Sequence, residues 1–462
     1  MKIKASKAFI AVSLYRFALI LVAVPLQAVI FEGISPETAV YIYRGDLILT
    51  LFVLAWIVLR YHSLLYESRN KKLTLGAGVL VPSKSFSAYS KLDCISLSQN
   101  LLFRPFRVCR CEVVSARHRD TLYLSRENAE SFLEELLPQE SASRIYRSGV
   151  WGNILMSAGF SNSLTGLLAV IPLLRSAAGV VGEKQAAALL SGIDLGGIMR
   201  FAGLPPVLEI LASLLLLLWG LGFTAELLQN LHLRAKSSDE LLFISRGLIT
   251  KHLAIVRKSR ISCAVLRQSI LLSLLKLHTV QIRIPNAKGK ENLQMISAQQ
   301  RQKCIEVLTQ SGFLNPMSSE TLKIKPRRNA LWGYTYLPMT TLSVACLTVI
   351  LFDPNRTYNL HPYLSAFVVF LCVLWFFFRV FSHRRASLSA QGEVFRVRTF
   401  EKLTFTEFYI PKEMVKAIKI SESFFQRRKG LCSAKIYIRS RRAHPIRIRH
   451  IDKIKTAQLL GV

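Results

Sequence analysis

Six runs of mainly apolar residues occur along the chain, and they are arranged in three pairs. The runs cover residues 8–30, 41–61, 150–174, 207–228, 330–352 and 363–378. About 20 apolar residues in a helix cross a hydrocarbon core of roughly 30 Å. The pattern therefore predicts six transmembrane helices in three hairpins. The second is the shortest, because Asp46 and Arg60 limit its apolar part to residues 47–59. The first is longer than the apolar part of a secretory signal, about 7 to 15 residues, and predicts a retained anchor.

Shorter segments with apolar residues at every second position follow each pair. Residues 92–97 and 108–114 show this alternation, which is typical of strands. After them, Ser125 and Asn128 precede apolar residues at helical spacing, and this pattern predicts a capped amphipathic helix. Ser297 begins the same pattern after the second pair. The sequence therefore predicts β-rich modules that are each closed by a helix.

An internal repeat relates these modules. Residues 78–113 and 247–282 align without a gap at a constant offset of 169. Identical residues recur at Gly78 and Gly247, Ser90 and Ser259, Cys94 and Cys263, Leu97 and Leu266, Gln99 and Gln268, and Leu102 and Leu271. A weaker third copy opens at Gly392 and places residues 420–425 where residues 97–102 stand in the first copy. A repeat of this length is a structural unit, so the chain consists of three hairpin-plus-module units.

The third module has the least regular pattern. Its clearest strands are residues 434–439 and 446–451, which predict a hairpin, and residues 451–460 are its one candidate for a closing helix. Together the patterns predict an α+β membrane protein. Its transmembrane hairpins would occupy residues 1–62, 148–230 and 328–381, and its modules residues 63–140, 232–312 and 382–462.

The charge distribution orients this arrangement. The formal net charge is +33, but the loops at residues 31–40, 175–206 and 353–362 together carry four basic and five acidic residues. Because Lys and Arg remain on the cytoplasmic side of a membrane, we expect the N-terminus and all three modules to be cytoplasmic. The same rule explains the basicity without a nucleic-acid partner. Cys109 and Cys111 alternate on a predicted strand, and with no second Cys/His pair nearby they predict packed thiols rather than a zinc site.

Catalytic motifs are absent from the sequence. It contains no P-loop, no His-Glu-x-x-His and no Gly-x-Ser-x-Gly, and its nine histidines are scattered. We therefore expect a protein that is not an enzyme and that uses no cofactor and no metal. Glu209 is the one carboxylate of interest inside a predicted transmembrane helix, where acidic residues often mark ion paths.

Several strands followed by one helix resemble the order of a pleckstrin-homology-like (PH-like) β-barrel. A hairpin before each module is similar to the bacterial PH-like membrane family typified by YdbS and YdbT, with three modules as in the YdbT type. The resemblance rests on Leu75, Gly78, Val79 and Leu80 with Ile244, Gly247, Leu248 and Ile249, and on residues 99–102 with 268–271. It implies cytoplasmic PH-like barrels with a C-terminal helix in a bacterial cytoplasmic (inner) membrane, without catalytic residues.

The resemblance also implies candidate binding residues. Eukaryotic PH domains that bind phosphoinositides use Lys and Arg between their first two strands. Residues at roughly this place are Lys251, Arg257, Lys258 and Arg260 in the second copy and Arg396, Arg398 and Lys402 in the third. A solvated or membrane-facing basic edge is the alternative for these residues.

The predicted function is therefore a membrane scaffold that presents three PH-like modules to partner proteins or anionic lipid. Its expected partners are membrane lipids and a protein such as a smaller single-module PH-like membrane protein, and no nucleic acid. A transporter or transporter-accessory subunit, with Glu209 as an intramembrane polar site and the modules regulatory, is the alternative.

Overall fold

A computed structural model shows the fold. It describes residues 2–4, 9–10, 13, 36–69, 72–77, 83–88, 92–100, 103–115, 119–136, 143–160, 206–284, 292–314, 320–351, 361–401, 404–439 and 445–460.

The described elements are strands joined by short turns, with helices between groups of strands. Up to residue 160 they are β1 (Lys2–Lys4), α1 (Pro36–Ser63), β2 (Leu65–Arg69), β3 (Lys72–Ala77), β4 (Ser83–Ala88), β5 (Leu92–Gln99), β6 (Val108–Ser115), β7 (Arg119–Ser125), α2 (Arg126–Leu136), β8 (Ser143–Arg147) and α3 (Val150–Phe160). From residue 206 to residue 310 they are α4 (Pro206–Asn230), β9 (Arg234–Ser237), β10 (Leu241–Arg246), β11 (Lys251–Arg257), β12 (Cys263–Ser269), α5 (Ile270–Leu274), β13 (Leu277–Arg283), β14 (Asn292–Gln300) and α6 (Arg301–Gln310). The rest are β15 (Glu320–Ile324), α7 (Leu331–Leu351), α8 (His361–Arg385), β16 (Ser387–Gln391), β17 (Val394–Glu401), β18 (Thr404–Pro411), β19 (Val415–Ser421), α9 (Phe424–Arg428), β20 (Leu431–Ile438), β21 (Ile446–Asp452) and α10 (Lys453–Leu460).

The chain folds into two compact units. The first consists of Met1–Ser143, Phe160–His232 and Phe243–Arg257, and the second of Arg144–Gly159, Leu233–Leu242 and Lys258–Val462.

The first unit contains two groups of antiparallel strands. Strands β1 to β4 pair in sequence order, and strands β7, β6, β5 and β11 lie side by side in that order. Helix α2 covers one face of the latter, where Phe132 packs with Ile95 and Leu122 in a hydrophobic core. Ser125 caps this helix by accepting a hydrogen bond from the Asn128 amide at 3.3 Å, which confirms the predicted cap. Because β11 pairs with β5, the strand pairing is not confined to one predicted module, and the three-module division stays a prediction.

The second unit contains a seven-stranded sheet in the order β14-β13-β12-β18-β17-β16-β15 and a three-stranded sheet, β19-β20-β21. Its core includes Val265, Phe408 and Ile436. Strands β20 and β21 pair antiparallel with Ile436 opposite Ile446, so the predicted hairpin is confirmed, and α10 confirms the predicted closing helix. The predicted cap at Ser297 is wrong. Strand β14 continues through Ser297 to Gln300, because Gln299 and Gln300 pair with His278 and Leu277 of β13.

The three copies of the sequence repeat share the same type of connection between two of their strands. In the three copies, one residue with a left-handed backbone precedes β6, β13 and β20: Arg107 with φ 51°, Lys276 with φ 54° and Gly430 with φ 62°. The aligned segments 97–102, 266–271 and 420–425 begin at equivalent positions. Each left-handed residue lies ten residues after the start of its segment. This equal spacing agrees with the alignment of residues 420–425 with residues 97–102, which stays a prediction.

The glycine that opens the repeat has a structural role in the second copy. Gly247 adopts φ 97°, and a Cβ atom at this position would lie 2.0 Å from the Thr250 carbonyl oxygen. Only glycine fits such a position. Gly392, which opens the third copy, also has a positive φ of 54°, and Gly78 lies outside the described residues.

The prediction of six transmembrane helices is wrong. In the part of the chain that the structure describes, no helix is long and apolar enough to cross a membrane. Charged residues lie within two of the long helices, Arg44 and Asp46 in α1 and Arg379 in α8. Residues 14–35 and 161–205 hold most of the first and third predicted helices and lie outside the described residues.

The predicted location depended on those helices. A multi-pass protein of the bacterial inner membrane, with its N-terminus and modules on the cytoplasmic side, is therefore also a wrong prediction. The α+β part of the fold class agrees with the structure, because the described residues combine antiparallel sheets with helices.

Candidate functional site

A buried carboxylate on β18 organises the candidate site in the second unit. Strand residues alternate between the two faces of a sheet, and Phe408 and Ile410 point into the hydrophobic core. Glu407 and Tyr409 therefore lie on the opposite face. Both side chains are buried. A buried charge is costly unless it is paired and hydrogen-bonded, so the partners of Glu407 determine what this face can do.

Three arginines and one tyrosine hold Glu407. Its Oε1 atom accepts hydrogen bonds from Arg301 Nη2 at 3.0 Å, from the Tyr409 hydroxyl at 2.5 Å and from Arg396 Nε. Its Oε2 atom accepts from Arg398 Nε at 3.1 Å. Arg396 and Arg398 are two residues apart on β17, which places both on one face, and Arg301 is the first residue of α6. Both carboxylate oxygens are therefore occupied.

The protonation state of this group follows from its neighbours. Burial alone would raise the pKa of Glu407, but Arg396, Arg301, Arg398 and the hydrogen bond from Tyr409 together lower it to about 2. Burial and the nearby Glu407 charge raise the pKa of Tyr409. Glu407 is therefore ionised and Tyr409 protonated near neutral pH, and neither is poised to transfer a proton.

A cavity of about 380 Å³ opens beside this cluster. Its walls come from β12, β13, β15, β17, β18 and the end of α8. Seven basic residues line it, against the single acidic residue Glu407: Lys276, Arg301, Lys323, Lys325, Arg384, Arg385 and Arg398. We call this cavity the basic pocket. Because Glu407 is already paired with arginines, the pocket carries an excess of positive charge.

Contacts inside the pocket fix some of these cations. The Arg385 Nη1 atom donates to Gln268 Oε1 at 3.0 Å, and its guanidinium lies 4.4 Å from the centre of the Phe405 ring. Burial, and then the neighbouring Arg398, lower the pKa of Arg385. Burial, followed by the charges of Arg398 and Lys325, likewise lowers the pKa of Lys323. Burial is the larger cause in both cases, and repulsion between cations is the smaller one, which a bound anion would relieve.

The structure places the sequence-predicted residues in different locations. Arg396 and Arg398 come together at Glu407, and Arg398 also lines the basic pocket. Lys251 and Arg257 are the first and last residues of β11 in the first unit. Lys258 and Arg260 form a single 3₁₀ turn in the second unit. These four are not among the residues that line the pocket.

The remaining predicted residues fall at the limits of the described chain. Lys402 lies outside the described residues, and Glu209 lies near the start of α4. Two roles predicted from the sequence stay predictions. One is binding by the seven basic residues of the second and third copies, and the other is the intramembrane role of Glu209.

The cysteines fit a packing role. Cys109 and Cys111 lie in the hydrophobic core of the first unit, and burial raises the pKa of both thiols. Within the described residues, no group of three or more His, Cys, Asp and Glu side chains could hold a metal ion.

Sequence reasoning missed most of the pocket. Lys323 and Lys325 alternate with Leu322 and Ile324 in a short strand, and that period could have placed both lysines on one face. The Arg384–Arg385 pair lies shortly after the last apolar run, which ends at residue 378, and is a second signal. The pairing of β12 with β18, which sets Leu266 opposite Glu407, joins residues far apart in sequence, and no local pattern reveals it.

Comparison with known proteins identifies the family of the chain. Neither curated proteins nor solved structures give a significant match. A family model for the bacterial PH domain matches residues 9–140 and 342–460, which together are more than half of the chain. The second matched region includes the third, most divergent copy of the repeat. The chain therefore belongs to the bacterial PH domain family.

Proposed function

We propose that this protein is a non-catalytic scaffold whose basic pocket binds a short acidic segment of a partner protein. PH-like domains are typically binding modules without catalytic residues. One observation supports the proposal most strongly. Seven lysines and arginines line the cavity, and its one carboxylate, Glu407, is already paired with arginines.

Charge supports an anionic occupant. Cations that share a cavity repel one another, and the lowered pKa values of Lys323 and Arg385 have this repulsion among their causes. A carboxylate that enters the pocket adds opposite charge within reach of several cations. Electrostatic complementarity of this kind gives specificity and a fast association rate, and it weakens as salt is added.

Preorganisation supports binding without a large conformational change. Glu407 holds Arg301 and Arg398 through separate carboxylate oxygens, while Phe405 and Gln268 hold Arg385. Ordering long side chains on binding is costly, so side chains that are ordered beforehand bind more tightly. Arg also matches carboxylate geometry through paired N–H donors.

The size of the pocket limits the occupant. A volume of about 380 Å³ is at the lower end of ligand cavities, which are roughly 300 to 1,000 Å³. It accommodates a few acidic side chains rather than a folded domain. The other copies of the repeat on the same chain would add further weak contacts at high effective concentration, which is how a scaffold gains avidity.

The test is the affinity of the full-length chain for a fluorescein-labelled glutamate-rich peptide, measured by fluorescence anisotropy. The K323Q/K325Q variant removes two exposed charges from the pocket wall. We expect its affinity to fall at least about tenfold, since charge pairs at an interface contribute more than 1 kcal/mol each. Added salt should weaken binding to the wild-type chain.

A matched control separates the pocket from general basicity. Lys416 and Lys419 are exposed on β19 of the same unit and are not among the pocket-lining residues, so K416Q/K419Q makes the same change in net charge. It should leave the affinity unchanged. Equal losses in the two variants would refute the proposal. Competition with inorganic phosphate identifies the ligand class, because displacement of the peptide only at high ionic strength supports carboxylate recognition, whereas displacement at micromolar phosphate contradicts it.

A further inference from the structure

A second surface of the same unit exposes two adjacent phenylalanines. Phe424 and Phe425 are 63% and 75% exposed, and their rings lie 5.8 Å apart in an edge-to-face arrangement. The exposed residues Arg427, Arg428 and Lys429 follow after one buried residue, Gln426. We call the two phenylalanines and these three basic residues the α9 patch.

The backbone of the patch is held firmly. Ser423 and Gln426 form a reciprocal capping box at the start of α9. Gln426 is buried, and its Nε2 atom is 2.9 Å from Ser433 Oγ and 3.1 Å from His450 Nδ1. Because α9 is anchored at both its cap and its buried face, the phenylalanines are exposed by the fold and not by fraying of a helix end.

The positive charge of the patch has no acidic counterpart on α9 itself. The nearest acidic residue before the helix, Glu422, pairs with Lys453 Nζ at 2.7 Å. The Arg428 guanidinium lies 4.5 Å from the centre of the Phe424 ring, which leaves cation and ring on one surface. Exposed aromatic rings beside basic side chains are the combination that binds anionic bilayer surfaces.

A third aromatic residue lies in the same region. The start of α7 packs on β21, since Tyr334 donates to the Arg449 carbonyl at 2.9 Å and an added Cβ at Gly333 would meet the His450 ring. His450 is also the residue that Gln426 contacts from α9. Next to Gly333, Trp332 is 65% exposed. Tryptophan is enriched where a protein meets the interface of a bilayer.

We infer that the second unit docks on an anionic lipid surface through the α9 patch, with Phe424 and Phe425 inserted among the headgroups. This inference does not depend on the basic pocket or on the proposed function. The rings are mostly exposed on a short helix and are not among the residues that line the basic pocket, which suits a fluid surface better than an acidic protein. Arg427, Arg428 and Lys429 supply the charge complementarity to anionic headgroups.

Flotation of the full-length chain with vesicles tests the inference. One set of vesicles contains equal parts of phosphatidylcholine and phosphatidylglycerol, and the other contains phosphatidylcholine alone. The wild-type chain should float only with the anionic set. F424S/F425S should reduce the bound fraction at least about tenfold. R427Q/R428Q should weaken binding roughly fivefold for each charge removed.

Two controls and one probe keep the result interpretable. L274S removes a leucine that is 81% exposed on α5, a helix without basic residues, and should bind like the wild-type chain. K416Q/K419Q should also be unchanged. The cysteines whose side chains the structure describes are buried or half-buried, so an F425C variant can be labelled with an environment-sensitive dye. Its emission should shift to the blue with anionic vesicles and be quenched by brominated acyl chains.

Three results would overturn the inference. These are equal binding to neutral vesicles, an equal loss in L274S, and dye emission that does not change when anionic vesicles are added. The last result applies even if F424S/F425S folds poorly, because the labelled chain retains Phe424 and the three basic residues.

Discussion

Helices α5 and α9 occupy the same place in two copies of one repeat, and they share a backbone design. Ser269 caps α5 by accepting from the Leu272 amide at 3.3 Å, and Ser423 caps α9 by accepting from the Gln426 amide at 3.3 Å. Both connections then pass through a left-handed residue, Lys276 or Gly430, directly before the next strand. The repeat has therefore conserved a way of joining two strands.

The side chains of the two helices differ. The exposed residues of α5 are leucines, and Ser273 and Lys276 in this connection line the basic pocket. The exposed residues of α9 are Phe424 and Phe425 with two arginines. Capping and the left-handed exit fix the connection in both copies. The exposed positions do not determine the fold, so each copy can carry a different binding surface.

The largest expected effect concerns the basic pocket, which the α5 connection lines through Ser273 and Lys276. E407Q removes the carboxylate that holds three arginines, and loss of one partner from a buried ion pair costs about 3 kcal/mol. Because the folded-state pKa of Glu407 is lowered from 4.5 to about 2, its stabilising contribution is full above pH 4.5. It is lost as the pH falls from 4.5 towards about 2.

Urea unfolding of E407Q and the wild-type chain across this pH range checks the prediction. The difference in unfolding free energy should narrow steadily as the pH falls. A difference that stays constant would show that Glu407 acts through packing and not through its charge. Flotation with anionic vesicles should be unaffected wherever E407Q remains folded, because Glu407 is not part of the α9 patch.

A smaller effect is expected at the buried position of the two helices. Leu272 in α5 and Gln426 in α9 are equivalent and both buried. Q426L removes the acceptor of the Ser423 amide and the groups that contact Ser433 and His450. The substitution should destabilise the second unit by about 2 kcal/mol, since buried polar groups lose their partners. Urea unfolding measures the change, and a more stable Q426L would show that the two positions are interchangeable.

The smallest effect concerns the left-handed exit. G430A places a Cβ where no heavy atom lies within 4 Å, so only the backbone conformation opposes it, at about 1 kcal/mol. K276G should act in the opposite direction, with a gain of up to about 1 kcal/mol. Thermal unfolding of both variants shows whether each substitution raises or lowers the stability of the protein. Stabilisation by G430A would mean that the two exits do not share a conformation.

Local features of the fold could be predicted from the sequence because neighbouring residues determine them. The cap at Ser125 and the hairpin of β20 and β21 each depend on a few consecutive residues. The predicted cap at Ser297 is wrong because β14 pairs with β13 as far as Gln300, so Ser297 is a strand residue. The prediction of transmembrane helices is wrong because no helix in the described part of the chain is long and apolar enough to cross a membrane.

The candidate site was predictable only in part. Arg396 and Arg398 were singled out for their place in the third copy, and they are the two that meet at Glu407. The other cations reach the pocket from the residue before β13, from α6, from β15 and the residue after it, and from α8. Long-range strand pairing brings these elements together, and a single sequence does not encode that pairing locally. The α9 patch was visible in sequence as a Phe-Phe pair followed by arginines, but its exposure required the fold.

One crossed experiment tests the claim that the repeat carries two separate binding surfaces. Affinity for the glutamate-rich peptide and flotation with anionic vesicles are both measured for the wild-type chain, K323Q/K325Q and F424S/F425S. We predict that the first variant loses peptide binding and keeps vesicle binding, and that the second keeps peptide binding and loses vesicle binding. If either variant loses both activities while it remains folded, the two surfaces are not separate and the account is contradicted.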